Sequence, residues 1–379
     1  MTFRTIDLNH LGISIQWAAF TPQSGVSEWH VMLHVLPHDD LFPQQLERVY
    51  AAEQELASMP EFSGACCVMK RYFVSDSTNQ QPLMASDEPA AVSVIQQQPM
   101  DGSKIAAWLY LQSHSRLKSE AGHRVVEHNG YRHIWTMGIV SAEGDSACQT
   151  ERLLLSYENM LATQHATLAD NCVRTWFFVR DVDTQYAGLV SARRENFLTQ
   201  GLSPDTHYIA STGIGGNPAN PKALVQMGAY AVTGIAPGQM RYLYAKTHLN
   251  PTYEYGVTFE RGTALLFGDR KHVYISGTAS IDNHGEVLYA GDIIRQTLRM
   301  WENVEALLSE AGTGFDDVMQ IIVYLRDTGD YVRVRRLFEE RFPHIPIVIT
   351  LAPVCRPAWL IEMECIAVVP ETHEEYACF

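Results

Sequence analysis

One order of elements recurs three times along this chain of 379 residues, and a threefold repeat constrains a fold more than any single segment does. In the first copy the alternating stretch WHVMLHVL leads to a helical stretch with Gln45 and Arg48, then to a strand ending at Phe73, Val74, Ser75 and Asp76. In the second, YRHIWTMGIV leads to a helix with Gln149 and Arg152, then to RTWFFVRD, ending at Asp181. In the third, HVYISGTASI leads to a helix with Gln296 and Arg299, then to QIIVYLRD, ending at Asp327. The Gln-to-Asp spacings are 31, 32 and 31 residues, so the copies share register as well as order.

After that Asp, the second and third copies enter another helix, DTQYAGLVSARRENFL and GDYVRVRRLFEERF, with apolar residues at helical intervals. Each then returns to strands, YIASTGIGG with LVQMGAYAV and IVITLAPV with LIEMECIAV. The first copy is eroded: a polar loop, STNQQPLMASDEP, stands where its second helix should be, before KIAAWLYL. The predicted unit is an α+β layer, a mixed sheet backed by two helices. Units are predicted over residues 1–120 (degenerate), 121–238 and 239–379, with the polar QSHSRLKSEAGHR as the linker between the first two. Helices on one face leave the other face of each sheet to be covered. Three such units therefore predict an intrachain pseudo-trimer, with clefts where neighbours meet.

Composition bounds the partners. A formal charge of −15 argues against nucleic acid, whose phosphates are held by Lys and Arg, while a small anionic molecule needs only a few local arginines. No long apolar run exists, and MTFRTIDLNHLGI lacks a basic start and long apolar core, so neither a membrane span nor an export signal is predicted. Seven cysteines, at 66, 67, 148, 172, 355, 365 and 378, show no zinc spacing and no disulfide framework, which points to a reducing cytoplasm. His30, His34 and His38 recur every four residues, but the segment alternates as a strand and Pro37 stops it, so no metal is predicted.

The stretch that bears on chemistry is CRPAWLIEMECIAV, residues 355–368. Its β-forming apolar residues, with Pro353 and Pro357 excluding a helix, predict a buried strand. Two carboxylates, Glu362 and Glu364, fall on one face of it. Either both face solvent from a half-exposed sheet, or at least one faces a cleft where desolvation raises its pKa and lets it donate a proton. Aligning the last strands of the copies favours the cleft: Gln226 and Gly228 stand opposite Glu362 and Glu364, and IAAWLYL has no ionisable side chain. A carboxylate kept in one copy of three predicts one working site per chain, with the other copies as scaffold.

Other groups fall near that strand in sequence. Gly277 and Thr278 lie in ISGTASI, where glycine permits close approach by a ligand. Cys355 and Arg356 precede the final strand; their plain readings are a small buried hydrophobe and a surface ion pair. The loop-like NPTYEYGVTFERG supplies Tyr253, Tyr255 and Arg261, or is an ordinary connection. From the second copy, Arg174 opens RTWFFVRD, and STGIGG brings Thr212, Gly213 and Gly215, whose amides either face an anion or only form a turn. The acidic PETHEEYACF reads as a solvated terminus.

The third copy, from about Leu249 to Val369, resembles the Rid superfamily (reactive intermediate deaminases, formerly L-PSP endoribonucleases) through ISGTASID, GDIIRQTLRMWENVEALLSEAG, DDVMQIIVYLRD and CRPAWLIEMECIAV. That resemblance implies a trimer with ligand sites between subunits, here carried within one monomeric chain. Over roughly residues 170 to 368, RTWFFVRD, ARRENF, STGIGG, PTYEYG with FERG, ISGTAS and CRPAWLIEME in order resemble the chorismatase family, which is built on Rid-like units. This implies cleavage of chorismate with loss of pyruvate, Glu362 protonating the enolpyruvyl group, and no cofactor. Gly277 and Cys355 match the subtype making 3-hydroxybenzoate; the dihydrodiol-forming subtype has Ala at both positions. Cys355 is thereby implicated as a second catalytic group. Chorismate is a dicarboxylate, so Arg174, Arg261 and Arg356 are candidate forks for it. Thr212, Gly213, Tyr253, Tyr255, Gly277 and Thr278 are the further expected substrate contacts.

Two rival readings stay open. One is a Rid-type deaminase hydrolysing imines or enamines, although counting back from Ile361 to that family's catalytic Arg reaches Val354, not Arg356. The other is a non-catalytic module that binds a small ligand. An endoribonuclease is disfavoured because no basic stripe interleaved with aromatics is present.

Overall fold

Period-2 apolar patterns become strands and period-3.6 patterns become helices in the same order three times over. The structure, a computed structural model, describes residues 1–37, 39–120 and 122–379, so His38 and the expected unit boundary at Ala121 lie outside the described residues. The first unit holds β1 (Thr2–Leu8), β2 (Ile13–Phe20), β3 (Glu28–Val35), α1 (Phe42–Ser58), β4 (Ala65–Val74), the single turn α2 (Ser77–Gln80), β5 (Ala91–Gln96) and β6 (Ile105–Ser113). The second holds β7 (Leu117–Glu120), β8 (His123–His128), β9 (Tyr131–Val140), α3 (Ser146–Thr163), the short α4 (Leu168–Asn171), β10 (Cys172–Val179), α5 (Val182–Thr199), β11 (Ala210–Gly215) and β12 (Val225–Thr233). The third holds β13 (Met240–Leu243), β14 (Gly262–Leu266), β15 (Arg270–Ala279), α6 (Ile293–Glu310), β16 (Val318–Leu325), α7 (Tyr331–Arg341), β17 (Ile347–Leu351) and β18 (Ile361–Pro370).

Among the described residues these strands form three six-stranded sheets with one topology: β1-β2-β3-β6-β4-β5, β7-β8-β9-β12-β10-β11 and β13-β14-β15-β18-β16-β17. Each has a single parallel pair, β4 with β5, β10 with β11 and β16 with β17, because a helix or its remnant crosses over between those strands. The α+β pseudo-trimer read from the repeats is the observed fold. The first unit is the degenerate one, since α2 and a following 3-10 turn replace its second helix.

The recurring glutamine has a structural reason. Gln296 accepts from the amide of Leu360 at 2.9 Å and donates to the Ala358 carbonyl at 2.9 Å, fastening the start of α6 to the lead-in of β18. Gln149 does the same with the Leu224 amide and the Lys222 carbonyl, and Gln45 accepts from the Lys104 amide. A buried amide side chain thus satisfies backbone groups that neither helix nor sheet can pair. Asp145 and Asp292 cap α3 and α6 by accepting from the Cys148 and Arg295 amides.

Outer sheet faces pack on helices, as Leu46, Val49 and Leu56 of α1 do with Tyr72 and Leu109, and Leu154, Tyr157 and Leu161 of α3 do with Phe177 and Ala229. The inner faces close on one another in one shared core that includes Phe73 and Trp108, Trp135 and Trp176, and Tyr274, whose ring lies 5.7 Å from that of Tyr230. At one end of that core Glu28 of β3 accepts from Arg270 at 2.6 Å, stands 2.9 Å from His272, both on β15, and accepts from Tyr110 at 2.5 Å. Burial pulls the Glu28 carboxyl upward, but His272 and Arg270 outweigh it and hold it well below the usual carboxylate range.

Three sequence expectations change. The polar QSHSRLKSEAGHR is not a linker: Leu117–Glu120 pairs with β8, so the second sheet begins inside residues expected to belong to the first unit. Its charges suit an edge strand, where Lys118 pairs with Glu127 and Arg132 with Glu120. The final strand begins at Ile361, not at 355, because Pro357 lacks an amide and a turn from the Arg356 carbonyl to the Trp359 amide precedes it. The tail is not solvated at its last residue: Phe379 is buried, its ring 4.9 Å from Phe267 and 4.7 Å from His272, beneath the Arg270 guanidinium at 4.8 Å. His30 is likewise a core residue, accepting from the Trp108 indole at 3.1 Å. Among the described residues no group of three or more His, Cys, Asp or Glu is placed to hold a metal ion, and no helix is long and apolar enough to cross a membrane.

Removing the buried Glu28 charge leaves Arg270 with the Asp269 carboxylate as its remaining ion pair among the described residues, so Glu28→Gln is expected to cost about 2 kcal/mol in urea unfolding. Glu127→Gln, at the more exposed Lys118 pair, should cost less than about 1 kcal/mol. Because the Glu28 carboxyl is held low in the fold, its contribution is present above the ordinary carboxylate pKa and lost as pH falls toward strong acid. The gap between wild type and Glu28→Gln should therefore close only there.

Candidate active site

The seam between the second and third units holds the candidate site. β18 runs antiparallel between β15 and β16, which sets Glu362 opposite Ala279 on one side and Tyr324 on the other. A register shift in β15 between Ile275 and Thr278 brings Gly277 beneath the Glu362 side chain. A Cβ at Gly277 would stand 2.1 Å from Glu362 Oε1, so the acid occupies space that only glycine leaves free.

Above this pair is a narrow, partly enclosed cavity lined by residues of both units. The second unit contributes Tyr186 and Arg193 of α5 and Ser211 and Gly213 of β11; the third contributes Tyr255, Phe259, Arg261, Gly277, Cys355, Arg356, Trp359 and Glu362. Tyr186, Tyr255, Cys355 and Arg356 also line a shallower recess outside it, so these four side chains frame the mouth. The loop before β18 is held against β11 by the Gly215 amide, which donates to the Pro353 carbonyl at 2.9 Å.

The lining carries three guanidiniums and, among the described residues, one carboxyl, that of Glu362. Arg261 donates to the Asn250 carbonyl, at 3.0 Å, and to the Asn250 side-chain oxygen, at 3.2 Å. Arg193 makes long bonds to Thr258 (3.3 Å) and Ser211 (3.4 Å), and its buried Nη2 finds no hydrogen-bond partner among the described residues. Arg356 lies over the rings of Tyr255 and Trp359. Cations buried without counter-charge are costly, which marks the cavity as a place for an anion.

Glu362 is 5% exposed. Burial pushes its carboxyl up to about 8, and the neighbouring Glu364 pushes the same way against the weaker pull of Arg174 and Arg261. Burial, reinforced by Glu362, pushes the Cys355 thiol up to about 12, so it is not a thiolate at neutral pH.

Of the residues singled out from sequence, Gly213, Tyr255, Arg261, Gly277, Cys355, Arg356 and Glu362 line the cavity. Arg174, Thr212, Thr278 and Tyr253 do not. Arg174 is committed to Glu364 at 2.8 Å, and Thr212 donates to Glu364 and accepts from the Gly277 amide. Thr278 donates to the Ser276 carbonyl, and Tyr253 stands 46% exposed on the turn Thr252–Tyr255. Direct contact with a ligand in the cavity is thereby corrected for these four. Tyr186, Arg193, Ser211 and Trp359 escaped the sequence reading. One signal was present: Val182, Leu189, Ala192, Arg193 and Phe197 are the buried residues of α5, and a lone Arg among such residues is an anomaly.

Residues 267–369 match the family model described as Endoribonuclease L-PSP. A RutC family protein of Pyrococcus abyssi is 35% identical over 97 residues, covering 25% of this chain and 76% of that protein. The 3-aminoacrylate deaminase RutC of Acinetobacter baylyi is 35% identical over 71 residues, 19% of this chain and 56% of that enzyme. A crystal structure of a chorismatase superposes with a TM-score of 0.64 at 19% identity, covering 82% of this chain and 95% of that one, which shows a common fold. The chain belongs to the RutC family through its third unit, and as a whole it has the fold of a chorismatase.

Proposed function

We propose that the chain cleaves chorismate at the seam between its second and third units, releasing pyruvate and leaving 3-hydroxybenzoate. One juxtaposition carries the reading: a carboxyl that burial keeps protonated to about pH 8 shares a cavity with three guanidiniums that no lining carboxylate neutralises. The first is a proton donor for neutral pH, the second a receptor for a dianion. The fold shared with the solved chorismatase supports this choice of substrate.

In this reading Arg193, Arg261 and Arg356 hold the two carboxylates, and Tyr255, stacked on two of those cations, closes over them. Glu362 gives its proton to the methylene carbon of the enolpyruvyl ether, and the oxocarbenium-like centre forms beside the carboxylate left behind. The ring hydroxyl oxygen then attacks that centre in place of water. Its own bond to the ring and the original ether bond to the enolpyruvyl carbon break, so this oxygen leaves as the carbonyl of pyruvate while the ether oxygen stays on the ring as the phenol and takes up the hydroxyl proton. A ring proton lost on aromatisation returns to Glu362. The two products together contain the atoms of chorismate, so no water, oxidant or cofactor is consumed overall. Gly277 leaves room for the acid, and the neutral Cys355 thiol supplies a wall where water would otherwise stand.

Family membership favours a second reading, hydrolysis of an imine or enamine with release of ammonia. Val354 at the position expected for that chemistry's Arg weighs against it. Ammonia release from an imine generated in situ distinguishes the two, and a pure binding module would do neither.

Incubation with chorismate should yield pyruvate and 3-hydroxybenzoate in equal amounts, followed by coupled assay and chromatography; a dihydrodiol product would reject the subtype. Glu362→Gln should lower kcat by about a thousandfold while substrate affinity by calorimetry stays within about threefold. Since Glu362 must be protonated to act, kcat/KM should be level below its pKa and fall tenfold per pH unit above about 8, the direction its raised pKa dictates. Gly277→Ala puts a methyl group into the acid's place and should cost about a hundredfold in kcat in the same assay.

A further inference from the structure

Two residues beyond Glu362 on β18, a second carboxylate is sunk deeper between the units. Glu364 is buried, and donors converge on it: the Trp176 indole at 2.9 Å, Arg174 at 2.8 Å and the Thr212 hydroxyl at 2.5 Å, with Arg71 at 3.5 Å. Arg71 makes no hydrogen bond among the described residues; its guanidinium lies against Trp108 at 5.2 Å and against Trp176 and Phe178 at 4.9 Å each. A packed apolar trio would hold such a core at least as well, because burying ions costs more than their attraction commonly returns. Stability therefore leaves this cluster unexplained, and its position next to the acid suggests what it does.

We infer that Glu364 is the positioning residue of the site, fixing through Thr212 and Gly277 where the Glu362 carboxyl lies and supplying the like charge that it faces. The inference rests on Glu362 being the proton donor proposed above. The path is short: the Thr212 hydroxyl that donates to Glu364 also accepts from the Gly277 amide at 2.9 Å, and Gly277 is the residue over which Glu362 Oε1 sits. Thr212 comes from the second unit and Gly277 from the third, so the same hydroxyl sets the width of the seam.

Charged and titratable groups from both units surround Glu362. Arg174 of β10 and Arg261 before β14 favour its ionised form, and Arg356 stands on the lining. Tyr324 of β16, Tyr186 of α5 and Cys355 are neutral there, burial raising all three. Arg193 faces it from α5 across the cavity. Glu364 is the one anion in the set, and it works with burial to keep the Glu362 proton in place against these cations.

The test is the titration of the Glu362 carboxyl itself, read by carbon-13 NMR of glutamate-labelled protein and assigned by the signal missing in Glu362→Gln. The wild-type signal should titrate near pH 8, and in Glu364→Gln the midpoint should fall by about one pH unit. A folded Glu364→Gln with an unmoved midpoint overturns the inference. Because that variant leaves two arginines in the core without an anion, Arg71→Met with Glu364→Gln, which removes one cation together with the anion, provides the same reading in a better balanced core. Thr212→Val keeps every charge: its midpoint should stay, while kcat on chorismate falls about tenfold at unchanged KM and Thr212→Ser restores it. An unchanged kcat in Thr212→Val would sever the positional link. If wild-type protein does not turn over chorismate, the substrate reading fails, yet the NMR midpoint still decides what Glu364 does.

Discussion

The assembly of this chain centres on one carboxylate held by all three of its units. Glu364 belongs to the third unit, Arg174, Trp176 and Thr212 to the second, and Arg71 to the first, and their charged or polar ends meet where the inner faces of the sheets converge. The surroundings are apolar and aromatic, so the charges see little water and the geometry is strict: any unit that shifts leaves an ion uncompensated. Glu28, Arg270 and His272 join the first and third units in the same way toward the buried Phe379. Apolar surface between the sheets supplies most of the driving force, while these buried polar contacts define which arrangement of the units is allowed.

Within that frame the three seams have diverged. Strand pairing makes Ala106, Gln226 and Glu362 equivalent, each facing the same position of its neighbour, Phe73, Phe178 and Tyr324. At the seam of the first and second units Gln226 donates to the Ser93 hydroxyl and the Val94 carbonyl, and Gly138 lets the Val92 carbonyl approach so closely that a Cβ would stand 2.7 Å from it. These contacts fill the place that corresponds to the acid's. At the seam of the third and first units Ala106 offers no chemistry, and a cleft remains between α7, β17 and the first sheet, bordered by Gln16, His34 and Phe338. The remaining seam retains an acid, a glycine beneath it and three cations without an ion-pair partner among the described residues. A fixed architecture has thus been filled, emptied and equipped at three corresponding places.

Much of this was legible in the sequence, and the remainder was hidden for identifiable reasons. The glutamine spacing revealed the repeat because Gln45, Gln149 and Gln296 each satisfy the same backbone groups, a demand of the unit rather than of the site. Glu362 stood out because its counterparts are Ala and Gln. Arg174 looked like a ligand group, since nothing local reveals that its partner lies 190 residues away. Arg193 was obscured by its neighbours, a charge inside an otherwise apolar stripe of α5. The strand Leu117–Glu120 was lost because a short polar edge is supported by pairing and ion pairs rather than by a buried face. Local composition signals what a segment can form, whereas contacts between distant segments decide which of two plausible partners a charge takes.

Covalent linkage of the units has a consequence for the mouth framed by Tyr186, Tyr255, Cys355 and Arg356. A pocket shared between separate protomers falls apart when the protein is diluted below its dissociation constant. Here both walls belong to one polypeptide, so their encounter is intramolecular and does not depend on how many copies the solution holds. The geometry of the proposed site therefore persists at any dilution at which the chain stays folded.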